Sequence, residues 1–343
     1  MVLKSFHIKL HNATGTYAPG EVVSGDVIIV ISKKNQFCLG IKLQFKGKAE
    51  VQWTGSDTSG NHCLYLATES YFLAEDYIYQ DRNEDSGLTP GQHMFPFTFL
   101  LPNNIPDSFY HKNGSVDYSI NAIMEEWDSF PAAKIKFNVK SLVEPHQYPP
   151  RPIIDECSQT YWSCLLPCIS AGSMTVKIRI SGSTYAVGDS IDTLIDIHHN
   201  VSIVGIEMQL KQIIDFHSTS PCRDTKHKEE TVKSGTLDGP YGTDEIFEMS
   251  LQVPCVPLSG LRHCNLIDIS YRLRILIYVN GCPSRLAREY DIVIGSRSES
   301  SSIPYNGATG LRIPIPSAPP IQHNTPETPP PSYQSVIAQQ DKG

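Results

Sequence analysis

The stretch that decides the fold is Thr16–Ser32, TYAPGEVVSGDVIIVIS, because a similar stretch returns later in the chain as Thr184–Asn200, TYAVGDSIDTLIDIHHN. Both copies begin with Thr-Tyr-Ala and reach a glycine followed by an acidic residue. Apolar and polar residues then alternate, which is typical of a β-strand with one buried face. The pattern predicts the same turn and the same strand twice in one chain.

Three further segments repeat in the same order. LGIKLQFK matches VGIEMQLK, FTFLLP matches MSLQVP, and VDYSINAIM matches IDISYRLRILI when Tyr118 is superposed on Tyr271. The four matched pairs are 168, 165, 152 and 153 residues apart. Order kept across four segments indicates an internal duplication. It predicts two domains with equivalent strand order, with Tyr17 and Tyr185 at the same corner.

Period-two alternation dominates the rest of the chain as well, and no window of helical length shows a convincing 3.6-residue period. Strands with one apolar face form antiparallel sheets that pack in pairs. The predicted fold class is all-β, with two β-sandwich domains in tandem followed by a proline-rich tail.

Composition sets the predicted boundaries. The N-terminal sandwich is assigned to residues 1–143 and the C-terminal sandwich to 172–295. Residues 144–171 are predicted to be an extended connector because their prolines cannot donate sheet hydrogen bonds. Residues 296–343 are predicted to be a disordered tail, since nine prolines and few large apolar residues follow Arg297.

The totals exclude several classes of protein. A formal net charge of −8 argues against nucleic acid as the main partner. The first residues show no signal-peptide pattern, and no window is long and apolar enough to span a membrane. The sequence therefore predicts a cytoplasmic protein whose nine cysteines are mostly free thiols.

The chain resembles the arrestin family, and within it the α-arrestins, or arrestin domain-containing proteins. The segments that carry the resemblance include YAPGEVVSGDV, GLTPGQHMFPFTFLLPNNIPDSF and YDIVIGS, and they extend over residues 1–295. The resemblance implies two immunoglobulin-like β-sandwiches and the work of a cargo adaptor. Leu237 stands where thioredoxin-binding members carry cysteine, so thioredoxin is not a predicted partner.

A short motif in the tail has a specific chemistry. Pro330, Pro331 and Tyr333 fit P-P-x-Y, the ligand pattern of WW domains. The prolines hold a polyproline II conformation and lose little entropy on docking into an aromatic-lined groove, while the tyrosine fills a neighbouring pocket. The resemblance to α-arrestins implies that this motif recruits HECT-type ubiquitin ligases.

A second tail motif is weaker. Pro316, Ser317, Ala318 and Pro319 fit the P-S-A-P pattern that the ESCRT-I complex recognises. Four small residues in a proline-rich segment are equally compatible with filler. The P-x-x-P sequence at residues 149–152 is explained by its place in the predicted connector, which is favoured over a ligand for an SH3 domain.

Catalytic and metal motifs are missing from the sequence. Cys157, Cys164 and Cys168 lack paired C-x-x-C spacing, which favours free thiols over zinc. His217, Cys222 and His227 are interpreted as members of a solvated polar loop. No hydrolase, metalloprotease or phosphate-loop motif occurs. We predict no enzymatic activity, no cofactor and no metal.

The resulting functional hypothesis is an adaptor at the plasma membrane and endosomes. The arrestin-like body binds a membrane receptor or transporter, the tail recruits a WW-containing ubiquitin ligase, and the cargo is ubiquitinated and internalised. Two alternatives stay open: an ESCRT-linked adaptor in vesicle budding, and a scaffold or metabolic regulator that binds a soluble partner without ubiquitination.

Overall fold

The structure is a computed structural model that describes residues 3–32, 38–56, 60–80, 87–125, 131–141, 151–162, 170–280 and 285–296. Within these ranges all the helix-or-strand elements are strands, so the all-β fold class is confirmed. The first nine are β1 Leu3–Leu10, β2 Thr16–Tyr17, β3 Val22–Ile31, β4 Gly40–Ser56, β5 His62–Gln80, β6 Gly91–Leu100, β7 Phe109–His111, β8 Gly114–Glu125 and β9 Ala132–Val139. The second nine are β10 Ile153–Trp162, β11 Ser170–Ile180, β12 Thr184–Ala186, β13 Ser190–His199, β14 Ile203–Ser218, β15 Asp224–Leu237, β16 Asp244–Gln252, β17 Ile267–Val279 and β18 Leu286–Gly295. The predicted tail lies outside the described residues from residue 297 onward.

The N-terminal domain consists of two sheets. One has the strand order β1-β3-β6, and the other has the order β2-β9-β8-β4-β5, with β7 paired to β8. The apolar positions of each alternation face inward, and Ile29, Ile41 and Ile120 have no exposed surface. Burial of one such side chain contributes about 1.5–3 kcal/mol, so the period-two pattern is what holds the two sheets together.

The C-terminal domain repeats this architecture. Its sheets have the orders β10-β11-β13-β16 and β12-β18-β17-β14-β15. Strand β12 pairs in parallel with β18, as β2 pairs in parallel with β9. Tyr17 and Tyr185 lie in these two equivalent strands, which confirms their predicted placement.

The repeated turn is held by equivalent hydrogen bonds. The Ala18 amide donates to the Glu21 carboxylate at 2.7 Å, and the Ala186 amide donates to the Asp189 carboxylate at 2.8 Å. The glycine between them has a φ of +79° at Gly20 and +90° at Gly188. Residues that carry a side chain rarely adopt this left-handed backbone conformation, which explains why both copies have glycine at this position.

A buried tyrosine closes each sandwich in the same way. The Tyr118 hydroxyl donates to the Pro106 carbonyl at 2.6 Å, and the Tyr271 hydroxyl donates to the Pro257 carbonyl at 2.6 Å. Each bond ties the loop between the two sheets to the middle of a central strand. The superposition of these two tyrosines, made from sequence, is confirmed by this shared contact.

The predicted connector is wrong for one segment. Residues 153–162 form β10, which pairs with β11 along its whole length as an edge strand of the C-terminal domain. The Asp155 carboxylate also accepts hydrogen bonds from Arg288 and Tyr290, both at 2.8 Å. Four prolines, at 145, 149, 150 and 152, precede this strand, and none lies within its ladder. Residues 144–150 and 163–169 of the predicted connector lie outside the described residues.

Candidate functional site

The motif residues predicted from the tail lie outside the described residues. This applies to the P-P-x-Y residues Pro330, Pro331 and Tyr333 and to the P-S-A-P residues Pro316, Ser317, Ala318 and Pro319. The WW-binding and ESCRT-I predictions therefore stay predictions. What the structure does describe is the body that carries these motifs.

Two groups of cysteine and histidine can be placed. Cys157 is half-buried on β10 and its burial raises the pKa of the thiol, whereas Cys164 and Cys168 lie outside the described residues. His217 and His227 lie on β14 and β15 and not in a loop, which corrects the prediction for these two residues, whereas Cys222 is exposed in the turn between the two strands, as predicted. His217 contacts Asp268 at 3.0 Å and His227 contacts Asp215 at 2.7 Å, so both rings sit beside carboxylates on a hairpin surface.

The junction of the two sandwiches is the candidate site for binding a partner, because both domains contribute to it. Its first contact joins β5 to the turn of the β14–β15 hairpin. The Leu66 amide donates to the Ser220 carbonyl at 2.9 Å, and the Ser220 amide donates back to Leu66 at 3.1 Å. Leu66 and Ser220 thus form an isolated antiparallel β-bridge, and backbone hydrogen bonds connect the two domains at this point.

A charge-assisted contact lies further along β5. The Glu69 carboxylate accepts hydrogen bonds from the backbone amide of Asn265 at 2.9 Å and from its side-chain amide at 2.5 Å. Next to it, Tyr71 and the buried thiol of Cys264 interact, and burial raises the pKa of both groups. Both groups stay neutral at physiological pH, as a partly desolvated junction requires.

The third contact is between two rings. His111 stacks on Phe216 with centroids 4.9 Å apart and an interplanar angle of 23°. A Cβ added to Gly114 would lie 3.0 Å from the Phe216 ring, so the glycine leaves space for this ring. Burial lowers the pKa of His111, since the charged imidazolium loses water there. The neutral ring is therefore the form that packs at the junction.

A cleft of about 620 Å³ opens beside these contacts. The loop after β6 lines one wall, and the loop between β16 and β17 lines the other. Phe109 and Leu261 form apolar surface in it, while Asp107, Lys140 and Arg262 supply charges. Apolar surface with a few polar groups at a domain junction is the usual composition of a binding cleft.

None of the junction residues was singled out from sequence. Glu69 and Asn265 are 196 residues apart, and no local pattern relates them. The one available signal was the duplication, since the loops that form the cleft walls follow the matched segments FTFLLP and MSLQVP. Equivalent ends of the two sandwiches meet at the junction.

Comparisons with known proteins agree with this architecture. The arrestin (or S-antigen) N-terminal domain matches residues 6–147, and the arrestin (or S-antigen) C-terminal domain matches residues 170–298. Arrestin domain-containing protein 17 of Caenorhabditis elegans is 26% identical over 88% of this chain and 72% of its own length. Arrestin domain-containing protein 4 of Mus musculus is 25% identical over 85% and 70%, and arrestin domain-containing protein 1 of Homo sapiens is 24% identical over 92% and 69%.

Two duplicated sandwiches with a shared junction define an arrestin-type protein, and proteins of this type are adaptors or scaffolds and not enzymes. The chain belongs to the arrestin family, and its relatives place it among the arrestin domain-containing proteins, the α-arrestins. Within the described residues, no helix is long and apolar enough to cross a membrane.

Proposed function

We propose that this protein is an adaptor that joins a membrane cargo to a WW-containing HECT-type ubiquitin ligase. The observation that carries the proposal is the P-P-x-Y sequence at Pro330–Tyr333, placed after two arrestin domains. The adaptor acts in the cytoplasm, at the plasma membrane and on endosomes. The cargo, a receptor or a transporter, is then ubiquitinated, internalised and sorted.

The chemistry of the motif supports a modest, reversible interaction. Two prolines and one tyrosine offer few anchors, so the affinity of a single motif is expected to be on the order of micromolar, about −8 kcal/mol. The chain carries one P-P-x-Y motif, and so it gains no avidity from pairing two motifs with tandem WW domains. Loss of the tyrosine should therefore abolish recruitment.

The body supplies the cargo-binding half of the proposal. The junction cleft combines apolar surface from Phe109 and Leu261 with charges of both signs, which suits an amphipathic cytoplasmic segment of a membrane protein. Because both domains line the cleft, their relative orientation would affect cargo binding.

A pull-down with an isolated WW domain tests the ligase half. Tyr333→Ala removes the aromatic anchor and should weaken capture at least tenfold, a typical loss at a hot-spot contact. Tyr305→Ala is the matched control, because Tyr305 lies in the same tail but follows a single proline. Equal capture of both variants and wild type would refute the proposal and favour the scaffold alternative.

The P-S-A-P sequence at residues 316–319 favours one second candidate, an ESCRT-linked role in vesicle budding. Pro319→Ala should reduce vesicle release if this motif acts, while Pro320→Ala, one residue beyond the motif, should not. Vesicle release unchanged in both variants would exclude the budding role and leave the ubiquitin-ligase adaptor unaffected.

A further inference from the structure

The duplication allows the solvent-facing side of one large sheet to be compared with that of the other, position by position. The register aligns one row across three strands of each sheet, β9-β8-β4 in the N-terminal domain and β18-β17-β14 in the C-terminal domain. The rows are Lys136, Ser119 and Lys46 in the first and Asp291, Arg272 and Lys211 in the second. The neighbouring rows are Lys134, Asn121 and Gln44 against Glu289, Arg274 and Gln209.

The C-terminal face is a closed ion network. Its pairs are Arg272 with Glu289 at 3.1 Å and with Asp291 at 3.3 Å, Arg274 with Glu229 at 3.2 Å, and Lys211 with Glu229. The three cations are matched by three carboxylates, so the network is neutral. Such a face has no charge left over for a ligand.

The N-terminal face has a lysine and a glutamine, Lys46 and Gln44, at the positions of Lys211 and Gln209, but the charges on the flanking strand are reversed. Lys134 and Lys136 stand where Glu289 and Asp291 stand in the other domain. Among the described residues Lys46 and Lys134 make no ion pair, while Lys136 contacts Asp117 at 2.6 Å. Positive charge is therefore uncompensated on this face alone.

These side chains surround a depression of about 270 Å³ that is lined by polar and charged residues. The lining residues are Gln44, Lys46, Lys48, Glu50, Asp117, Ser119, Asn121, Lys134 and Lys136. Four lysines and two carboxylates give the depression a net charge of +2, in a chain whose net charge is −8. The contrast in sign makes the depression a local focus for anions.

Geometry narrows the kind of anion. Lys46 and Lys136 lie on strands separated by β8, so their backbones are roughly 10 Å apart. Flexible lysine side chains can close on a compact group between them, above Ser119 and Asn121 on the intervening strand. A hydroxyl, an amide and two ammonium groups are donors that suit the clustered oxygens of a phosphate.

We infer that this face, between β4 and β9, binds a multivalent phosphate, either free or as the phosphate monoester headgroup of a lipid. The site is separate from the tail motifs and does not depend on the proposed ligase recruitment. It would give the body a direct attachment of its own, apart from any protein cargo.

Isothermal titration of the full chain with inorganic tripolyphosphate tests the site. Lys46→Gln should weaken binding roughly tenfold, the usual effect of losing one charge-assisted contact. Lys211→Gln, at the equivalent position of the neutral face, should leave binding within about twofold of wild type. A double variant, Lys134→Glu with Lys136→Asp, installs the residues of the other domain at exposed positions and should abolish binding.

The lipid arm uses phosphatidylcholine vesicles with and without phosphatidic acid. Sedimentation with phosphatidic acid vesicles that the double variant loses assigns the site to lipid, and tripolyphosphate binding without sedimentation assigns it to free phosphate. Both results support the inference. Binding by neither probe, equal binding by wild type and Lys46→Gln, or tighter binding of a polyglutamate peptide than of tripolyphosphate would overturn it.

Discussion

Replacing Tyr271 by phenylalanine should destabilise the C-terminal domain by more than the size of the deleted atom suggests. The Tyr271 hydroxyl donates to the Pro257 carbonyl and accepts a hydrogen bond from the Gln212 side-chain amide at 2.7 Å. Gln212 is only 8% exposed, so its amide would lose its partner where water hardly reaches. An unsatisfied buried donor costs about 1–3 kcal/mol, and the lost bond to Pro257 adds about 0.5–1 kcal/mol. The expected total is about 1.5–4 kcal/mol.

Urea denaturation followed by circular dichroism gives the free energy of unfolding. With a slope near 2 kcal/mol per molar urea, the midpoint of the C-terminal transition should fall by roughly 1–2 M at unchanged slope. Tyr118→Phe should cost about 1–3 kcal/mol in the N-terminal domain, because it leaves the buried Pro106 carbonyl without its partner. Tyr110→Phe is the control, since that side chain is 85% exposed.

A second substitution tests the reasoning directly. In Tyr271→Phe with Gln212→Leu, both members of the buried pair become apolar, and removing both partners is nearly neutral. The double variant should therefore regain roughly 1 kcal/mol relative to Tyr271→Phe alone. A double variant as unstable as the sum of the two single variants would show that the orphaned amide is not the source of the loss.

Three further results are expected. The free energy of unfolding should fall as the pH drops below about 6.5, because burial lowers the pKa of His111 and the unfolded chain then binds a proton that the folded chain does not. His111→Phe should reduce the difference in this free energy between urea titrations at pH 7.5 and pH 5.5. A double-mutant cycle between Glu69→Ala and Asn265→Ala should give a coupling energy of about 1 kcal/mol, and additive losses would contradict the contact. Burial raises the pKa of Asp155, but hydrogen bonds from Tyr290 and Arg288 lower it more, so the ionised carboxylate stabilises the fold at pH 7. Asp155→Asn should therefore reduce the free energy of unfolding by about 1–2 kcal/mol at pH 7 and by less near pH 3, where the wild type also loses this stabilisation. Equal losses at both pH values would show that the ionised carboxylate is not the source of the stability.

The fold was predictable because its information is local and occurs twice. Tyr17 and Tyr185 open the same short segment, and each strand behind them alternates clearly enough to be assigned by period alone. Matching Tyr118 to Tyr271 also identified the two tyrosines that anchor a loop in each domain, although the sequence could not show that each hydroxyl donates to a proline carbonyl. A repeat provides an internal comparison that a single domain lacks.

Edge strands were the elements that sequence missed. Strand β10 carries Asp155 and Gln159 at half-buried positions where a central strand would carry apolar residues, since an edge strand buries less of its length. Strand β15, at the other edge, exposes most of its side chains on both faces, and so the sequence around His227 resembles a loop. Weak alternation is the physical consequence of a position at the edge of a sheet.

The junction and the charged faces were out of reach for a different reason. Glu69 contacts Asn265, and Lys46 and Lys136 flank Ser119 in the sheet, only because the fold brings distant strands together. No spacing in the chain encodes these meetings. The tail motifs are the reverse case, because a linear peptide is recognised through its sequence and needs no fold to be identified.

The extra strand of the second domain makes the two halves differ in how they resist misassembly. Strand β10 supplies β11 with a full ladder of backbone partners, so the edge of this sheet moves outward to β10, whose exposed side chains include Glu156. The equivalent strand β1 pairs only with β3 among the described residues. It displays exposed Lys4, His7 and Lys9, and charged side chains of this kind discourage strand-to-strand association. The duplicated strand is thus covered by a neighbouring strand in one domain and carries charged side chains in the other, so conditions that neutralise lysine should promote self-association through the N-terminal half.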